Sequence, residues 1–143
     1  MFEEAVNKLA DAIAYAEGFY VSGSRPARNH NPGNLTKDLT GKAIGKDSIY
    51  VVYANNADGW EALKMQVSAM LDNSSRIYNS AMSIMDMARK YTTTEQEAWA
   101  KNVASRLGVS TDTKLMDLVG VGIGIGVIAV FVFLWWMYKQ KGN

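Results

Sequence analysis

Two short features of the chain have residue types suited to chemistry: Glu17, and the turn sequence Asn31-Pro32-Gly33-Asn34 that follows it. Glu17 lies four residues after Ile13, which puts its carboxyl on the same helix face as an apolar stripe. A carboxyl at the edge of a buried face is partly desolvated. Desolvation disfavours the charged form and raises the pKa. A carboxylic acid that keeps its proton near neutrality is what general-acid cleavage of a glycoside requires. Arg25 and Arg28 are near in sequence, and either one beside Glu17 would reverse the shift. From position alone, a solvated helix-end glutamate is the commoner outcome. In the turn, Pro32-Gly33 suits type II, with Pro fixing φ and Gly supplying the positive φ. The amides of Asn31 and Asn34 either hold acetamido and hydroxyl groups of a sugar or brace the loop, and bracing is the simpler role.

The remaining candidates are few. The chain has 143 residues, no cysteine and a single histidine, which excludes disulfides, cysteine nucleophiles and multi-histidine metal sites. No metal and no cofactor is expected. A formal net charge of +1 gives no electrostatic case for nucleic acid as a partner. His30 sits in a loop, where surface hydrogen bonding is commoner than general-base work. Asp38, Asp47 and Asp58 flank a hairpin and are the available second carboxylates, although turn and cap roles suit them better. Tyr50 and Tyr53 are three apart on a strand and so point to opposite faces. At most one of them lines a sugar groove, and Tyr53 is the candidate.

These residues need a scaffold. Phe2, Val6, Leu9, Ile13, Ala16 and Tyr20 recur every three or four positions, which predicts a first helix stopped at Gly18. A loop to Asn34 follows. Leu35 to Thr40 and Ser48 to Ala54 read as two strands joined by a turn at Gly41 to Lys46. Asp58 is a cap for a helix with Trp60, Leu63, Val67, Met70 and Leu71 on one face. Ala81 to Lys90 has helical spacing, and Thr94 with Glu97 fits a capping box for a helix ended by Gly108. A last cap falls at Ser110 or Thr111. The expected class is α+β, mostly α, with one small hairpin.

The C-terminal part differs in composition. From Leu118 to Met137 there is no charged residue. As a helix this stretch is about 30 Å long, enough to cross a bilayer core. Trp135, Trp136 and Tyr138 stand at its far end, before Lys139 and Lys141, as an aromatic belt and a basic flank would. Gly120/Gly124 and Gly122/Gly126 form overlapping G-x-x-x-G patterns that permit close helix packing. The expected organisation is a domain over residues 1–117, a single transmembrane helix over 118–138 and a short basic tail over 139–143.

Glu17-Gly18-Phe19 followed by Arg28-Asn29-His30-Asn31-Pro32-Gly33-Asn34-Leu35 resembles the opening of phage lysozyme-like lytic transglycosylases. Gly59-Trp60-Glu61-Ala62-Leu63 is similar to a helix start in that family. Ser83 to Tyr91 and Trp99 to Val109 are similar to its closing segment. The resemblance covers roughly residues 8–115 and rests on the ordered set. The chain departs from the pattern at His30, where the family often has Asn, and at Thr92-Thr93-Thr94, where relatives often have a Pro-containing loop. The resemblance implies a lysozyme-like fold with Glu17 as catalytic acid and Asn31, Gly33 and Asn34 beside the glycan. It implies cleavage of the MurNAc–GlcNAc bond, with one glutamate serving first as acid and then as base while the sugar's 6-hydroxyl closes an anhydro ring. Implied partners are peptidoglycan glycan strands, a lipid membrane, and capsid or other membrane proteins of a virion. The implied location is the virion membrane or the host inner membrane, with a single pass. A lysozyme-type hydrolase and a non-catalytic virion scaffold are the alternatives.

Overall fold

A computed structural model describes residues 1–120. Helix α1 (Phe2–Glu17) forms on the expected stripe. Val6, Leu9 and Ile13 are buried, and Ala5, Ala10, Ala12 and Ala14 let neighbouring elements approach closely. Each full burial of a Leu or Ile side chain stabilises the fold by about 1.5–3 kcal/mol. Gly18 ends the helix at φ 84, and its N–H bonds the Tyr15 carbonyl at 3.1 Å. Only glycine adopts that left-handed conformation without a steric cost. A single turn, α2 (Arg25–Arg28), follows, capped by the Ser24 hydroxyl and started by Pro26.

The hairpin pairs β1 (Gly45–Asp47) with β2 (Tyr50–Val52), antiparallel, with Lys46 opposite Val51. The strand expected over Leu35–Thr40 does not form. The Asp38 carboxylate accepts from the Thr40 N–H at 2.9 Å, the Thr40 hydroxyl at 2.6 Å and the Ala43 N–H at 3.0 Å. This Asx-type bonding curls the chain away from a ladder. The first strand instead overlaps the end of the segment expected to be the turn, and the reversal lies at Ser48 and Ile49, where the second strand was expected to begin, with Ser48 at φ 57.

Three helices complete the domain: α3 (Asn56–Leu71), α4 (Ile84–Tyr91) and α5 (Gln96–Leu107). Helix α1 packs against α5 and α3, and α4 packs against α5. Leu9, Ile13, Leu63, Met70, Ile84 and Met87 meet at the centre with no exposure. The caps differ from expectation. Asn55, not Asp58, caps α3, accepting from the Asp58 N–H at 2.9 Å. The capping box is Ser83 with Asp86 on α4. Thr94 and Glu97 form none. Residue Glu95 precedes α5 in a left-handed conformation, and the Thr92 hydroxyl bonds the Thr94 carbonyl instead.

The expected architecture also needs correction at its C-terminal end. Ser110 and Thr113 close a turn, and Lys114 bridges Ser83. Leu115–Leu118 is a 3-10 helix whose Leu115 and Leu118 are buried in the domain core. The apolar run therefore begins inside the fold. Among the described residues, no helix is long and apolar enough to cross a membrane. Val119 packs against that core, and the run from residue 121 on, with Gly122, Gly124, Gly126, Trp135 and Trp136, and the tail lie outside the described residues.

One contact locks α3 onto the loop that carries the turn. A Cβ at Gly59 would lie 1.8 Å from the His30 carbonyl oxygen and 2.8 Å from Pro32 Cδ. A methyl there must push the helix off the loop, because the blocking atom is backbone. Gly59→Ala is expected to cost about 3 kcal/mol or more in urea unfolding. An unchanged urea midpoint would show that the helix and the loop do not meet in this way.

Candidate active site

Three segments converge on the Glu17 carboxyl: the end of α1, the loop over residues 29–35, and α5. Trp99, on the buried face of α5, donates its indole Nε1–H to Glu17 Oε1 at 3.1 Å. Asn34 donates Nδ2–H to Oε2 at 3.4 Å. Tyr91, the last residue of α4, stacks on Trp99 with centroids 4.9 Å apart and planes at 25°. The ring of Tyr78 lies 6.4 Å from that of Tyr91. The carboxyl thus sits against an aromatic wall with two neutral donors.

Burial pushes the Glu17 pKa from the usual 4.5 to about 7, outweighing the hydrogen bonds from Trp99 and Asn34, which act in the opposite direction. Burial, and next the Glu17 charge, push the Tyr78 phenol up to about 12. The same two causes raise Tyr91 well above its ordinary value. Both phenols stay protonated through the pH range in which Glu17 titrates.

The two arginines are engaged elsewhere. Arg25 Nε lies 3.5 Å from Asp47 Oδ2, and its guanidinium covers the Tyr50 ring at 4.8 Å. Arg28 donates to the Gly23 carbonyl at 2.7 Å. No cation contributes to the Glu17 shift.

The turn residues divide their roles. The Asn31 side chain has no exposure. Its Oδ1 accepts from the Leu35 N–H at 3.0 Å, and its Nδ2 donates to the Leu35 carbonyl at 3.0 Å and the Val51 carbonyl at 2.9 Å. Asn31 therefore braces the loop against β2. The turn is closed by the Asn34 N–H on the Asn31 carbonyl at 2.9 Å, but Gly33 is not left-handed, so the turn is not type II. The positive φ falls on Asn34, at 48°, a conformation that Asn tolerates. Gly33 is needed for space. A Cβ there would lie 2.6 Å from Leu63 Cδ1 and 2.9 Å from the Tyr91 hydroxyl, which donates to the Gly33 carbonyl at 2.6 Å.

Asn34 is the turn residue that reaches Glu17. Its Oδ1 is the one buried side-chain polar atom without a partner among the described residues. With the carboxylate, Nδ2 is the matching donor. Turning the carboxamide over presents Oδ1 to the O–H of the protonated acid. Asn34 can therefore serve both protonation states.

The other candidates lie apart from the carboxyl. Tyr53 is fully buried, and its hydroxyl donates to Asp38 Oδ1 at 3.0 Å, so it faces the interior and not a groove. Burial acts upward on Asp38, but hydrogen bonds from Thr40, Ala43 and Tyr53 hold it far below the ordinary carboxylate range. Asp47 is bonded to Arg25 and to Asn29 Nδ2, and Asp58 to the Asn55 cap. His30 Nδ1 lies 2.7 Å from Asn56 Oδ1. None of these groups bonds Glu17 or contributes to its shift.

A groove of about 180 Å³ is lined by Asn34, Lys37, Gln66, Tyr78, Lys90 and Tyr91. A larger concavity of about 700 Å³, lined by Leu39, Glu61, Lys64 and Asp72, contains no residue bonded to Glu17. Sequence reasoning did not assign Trp99, Tyr91 or Tyr78 to the site. The available signal was Trp99 itself, since an indole N–H on a buried helix face needs an acceptor. Comparison of the chain with protein families, with curated proteins and with solved structures gives no match.

The raised pKa links stability to pH. The folded state holds the Glu17 proton more tightly than the unfolded chain does. This contribution is complete below pH 4.5 and is lost as pH rises through about 7, a change of up to about 3 kcal/mol. Glu17→Gln removes the titration. Its stability relative to the parent chain is therefore expected to improve from pH 4 to pH 9 in urea unfolding. Trp99→Phe keeps an aromatic ring but deletes the N–H donor, and should move the parent's decline to higher pH. Parallel profiles for the Gln variant and the parent would refute the desolvated carboxyl.

Proposed function

We propose that the chain is a glycan-cleaving enzyme that works with a single carboxyl group, Glu17. The observation that carries this reading is a desolvated acid with a pKa of about 7, held by neutral donors and bonded to no second carboxylate. Within that class, the reading the site supports best is a peptidoglycan lytic transglycosylase acting on the MurNAc–GlcNAc bond. A two-carboxylate hydrolase needs a nucleophile or base at a set separation from the acid. Asp38, Asp47 and Asp58 are each bonded into turn, ion-pair or cap roles instead.

The chemistry then balances on one group. The Glu17 O–H gives its proton to the glycosidic oxygen as the C1–O bond breaks, and the leaving sugar departs with a free hydroxyl. The substrate's own 6-hydroxyl attacks C1, and the Glu17 carboxylate takes its proton as the anhydro ring closes. Glu17 ends protonated, ready for the next bond. The carboxylate that exists between the two transfers is held by the Trp99 and Asn34 N–H groups, and Tyr91 fixes the Trp99 plane. A pKa near 7 suits both halves of this cycle at neutral pH.

The test is mass spectrometry of purified cell walls digested with the full chain. Anhydromuramic ends are expected, with a rate that falls as pH rises above about 7. Glu17→Gln should lower release by about 10³-fold. Reducing ends would replace the proposed reaction with hydrolysis. No release by the parent chain would remove the enzyme reading and leave a scaffold.

A further inference from the structure

The groove that shares Asn34 and Tyr91 with the Glu17 site differs in charge from the other concavities described. Its only charged lining residues are Lys37 and Lys90. The concavity on α3 mixes Lys64 with Glu61 and Asp72. A third, near the start of α5, mixes Arg89 and Lys101 with Glu95 and Glu97. Lys37 and Lys90 are exposed, and neither has an ion-pair partner among the described residues. They belong to segments far apart in sequence, the stretch after the Asn34 turn and the last turn of α4. The fold brings them to one groove that Asn34, Tyr78 and Tyr91 also line. Tyr78 is buried and Tyr91 is packed on Trp99, so these rings form part of the groove's base, and Gln66 and Thr36 add neutral hydrogen-bonding groups.

Resting on the glycan reading above, we propose that this groove is a subsite for an amino-sugar strand that carries carboxylate substituents, with Lys37 and Lys90 as the groups that bind the anion. Two ammonium groups without internal partners lose no existing ion pair when a carboxylate arrives. Charge-assisted hydrogen bonds of this kind are stronger than neutral ones. A peptidoglycan strand presents carboxylates from two sources, the stem peptide and the lactyl group freed when the stem is removed. A chitin oligosaccharide has the same acetamido sugars and no carboxylate. The lysines therefore set a preference among glycans and take no part in the proton transfers at Glu17.

The experiment measures binding to the full chain carrying Glu17→Gln, so that no ligand is consumed. Three ligands of equal length are compared: a stem-bearing peptidoglycan fragment, the same fragment stripped of its stems, and a chitin oligosaccharide. At low salt at least one carboxylate-bearing fragment should bind about tenfold more tightly than chitin, and the tighter of the two identifies the anion source. The preference should shrink at about 0.5 M salt, as expected of exposed charges. Adding Lys37→Gln and Lys90→Gln should abolish the preference and leave chitin affinity unchanged. If the double-Gln chain keeps the preference, or loses chitin affinity in parallel, the subsite assignment is overturned. Equal binding of all three ligands overturns the subsite alone and leaves the glycan reading standing. Binding of none overturns both.

Discussion

The Glu17 carboxyl is held by an indole N–H and a carboxamide N–H, with no cation beside it. That choice of partners is the constraint around which the domain is arranged. A guanidinium in place of either donor would fix the group as a carboxylate and remove its use as an acid. The fold meets the constraint by pairing each nearby arginine with something else. Asp47 and the Tyr50 ring take Arg25, and the Gly23 carbonyl takes Arg28. The stacked Tyr91–Trp99 pair forms part of the wall that keeps water from the carboxyl.

Around that carboxyl, the turn and two glycines act as spacers. Asn31 ties the loop to Leu35 and Val51, so that Asn34 is delivered to Glu17 from a fixed backbone. Gly33 leaves room for the Tyr91 hydroxyl to reach its carbonyl, and Gly59 lets α3 close on His30. The site therefore depends on contacts between segments that are distant in sequence, and its most mutation-sensitive positions include residues with no side chain. Holding an ionisable group in a seat that opposes its charge also costs stability above neutral pH. This is the usual relation between an active site and the fold that carries it.

Helix α1, its stop at Gly18 and the place of Glu17 on the apolar face were legible in the sequence, because each follows from local spacing, whereas position alone favoured a solvated glutamate and the desolvation comes from residues distant in sequence. The i, i+4 relation of Ile13 and Glu17 needed no tertiary knowledge. The hairpin was legible in kind but not in place. Strand β1 is the polar run Gly45–Asp47, and an apolar-patterned stretch beside it is curled by the Asp38 carboxylate. Caps were ambiguous wherever two eligible residues lay close together, as with Asn55 and Asp58. The aromatic wall was hidden because Tyr78, Tyr91 and Trp99 meet Glu17 only through folding. Gly33 was read as a backbone requirement, whereas its neighbours Leu63 and Tyr91 make it a requirement for space. The apolar run from Leu118 was read by composition alone, and Leu118 itself turns out to be part of the domain core.

The protonation of one group decides between an acid catalyst and an ordinary helix-end glutamate. The most direct measurement is a carbon-13 NMR titration of the glutamate carboxyl groups in the full chain, with the Glu17 signal assigned by its loss in the Gln variant. A midpoint near 7 is the result expected from a carboxyl held by Trp99 and Asn34 in a dry seat. A midpoint at or below 4.5 would contradict it, because Glu17 would then be a solvated or ion-paired carboxylate with no proton to give at neutral pH.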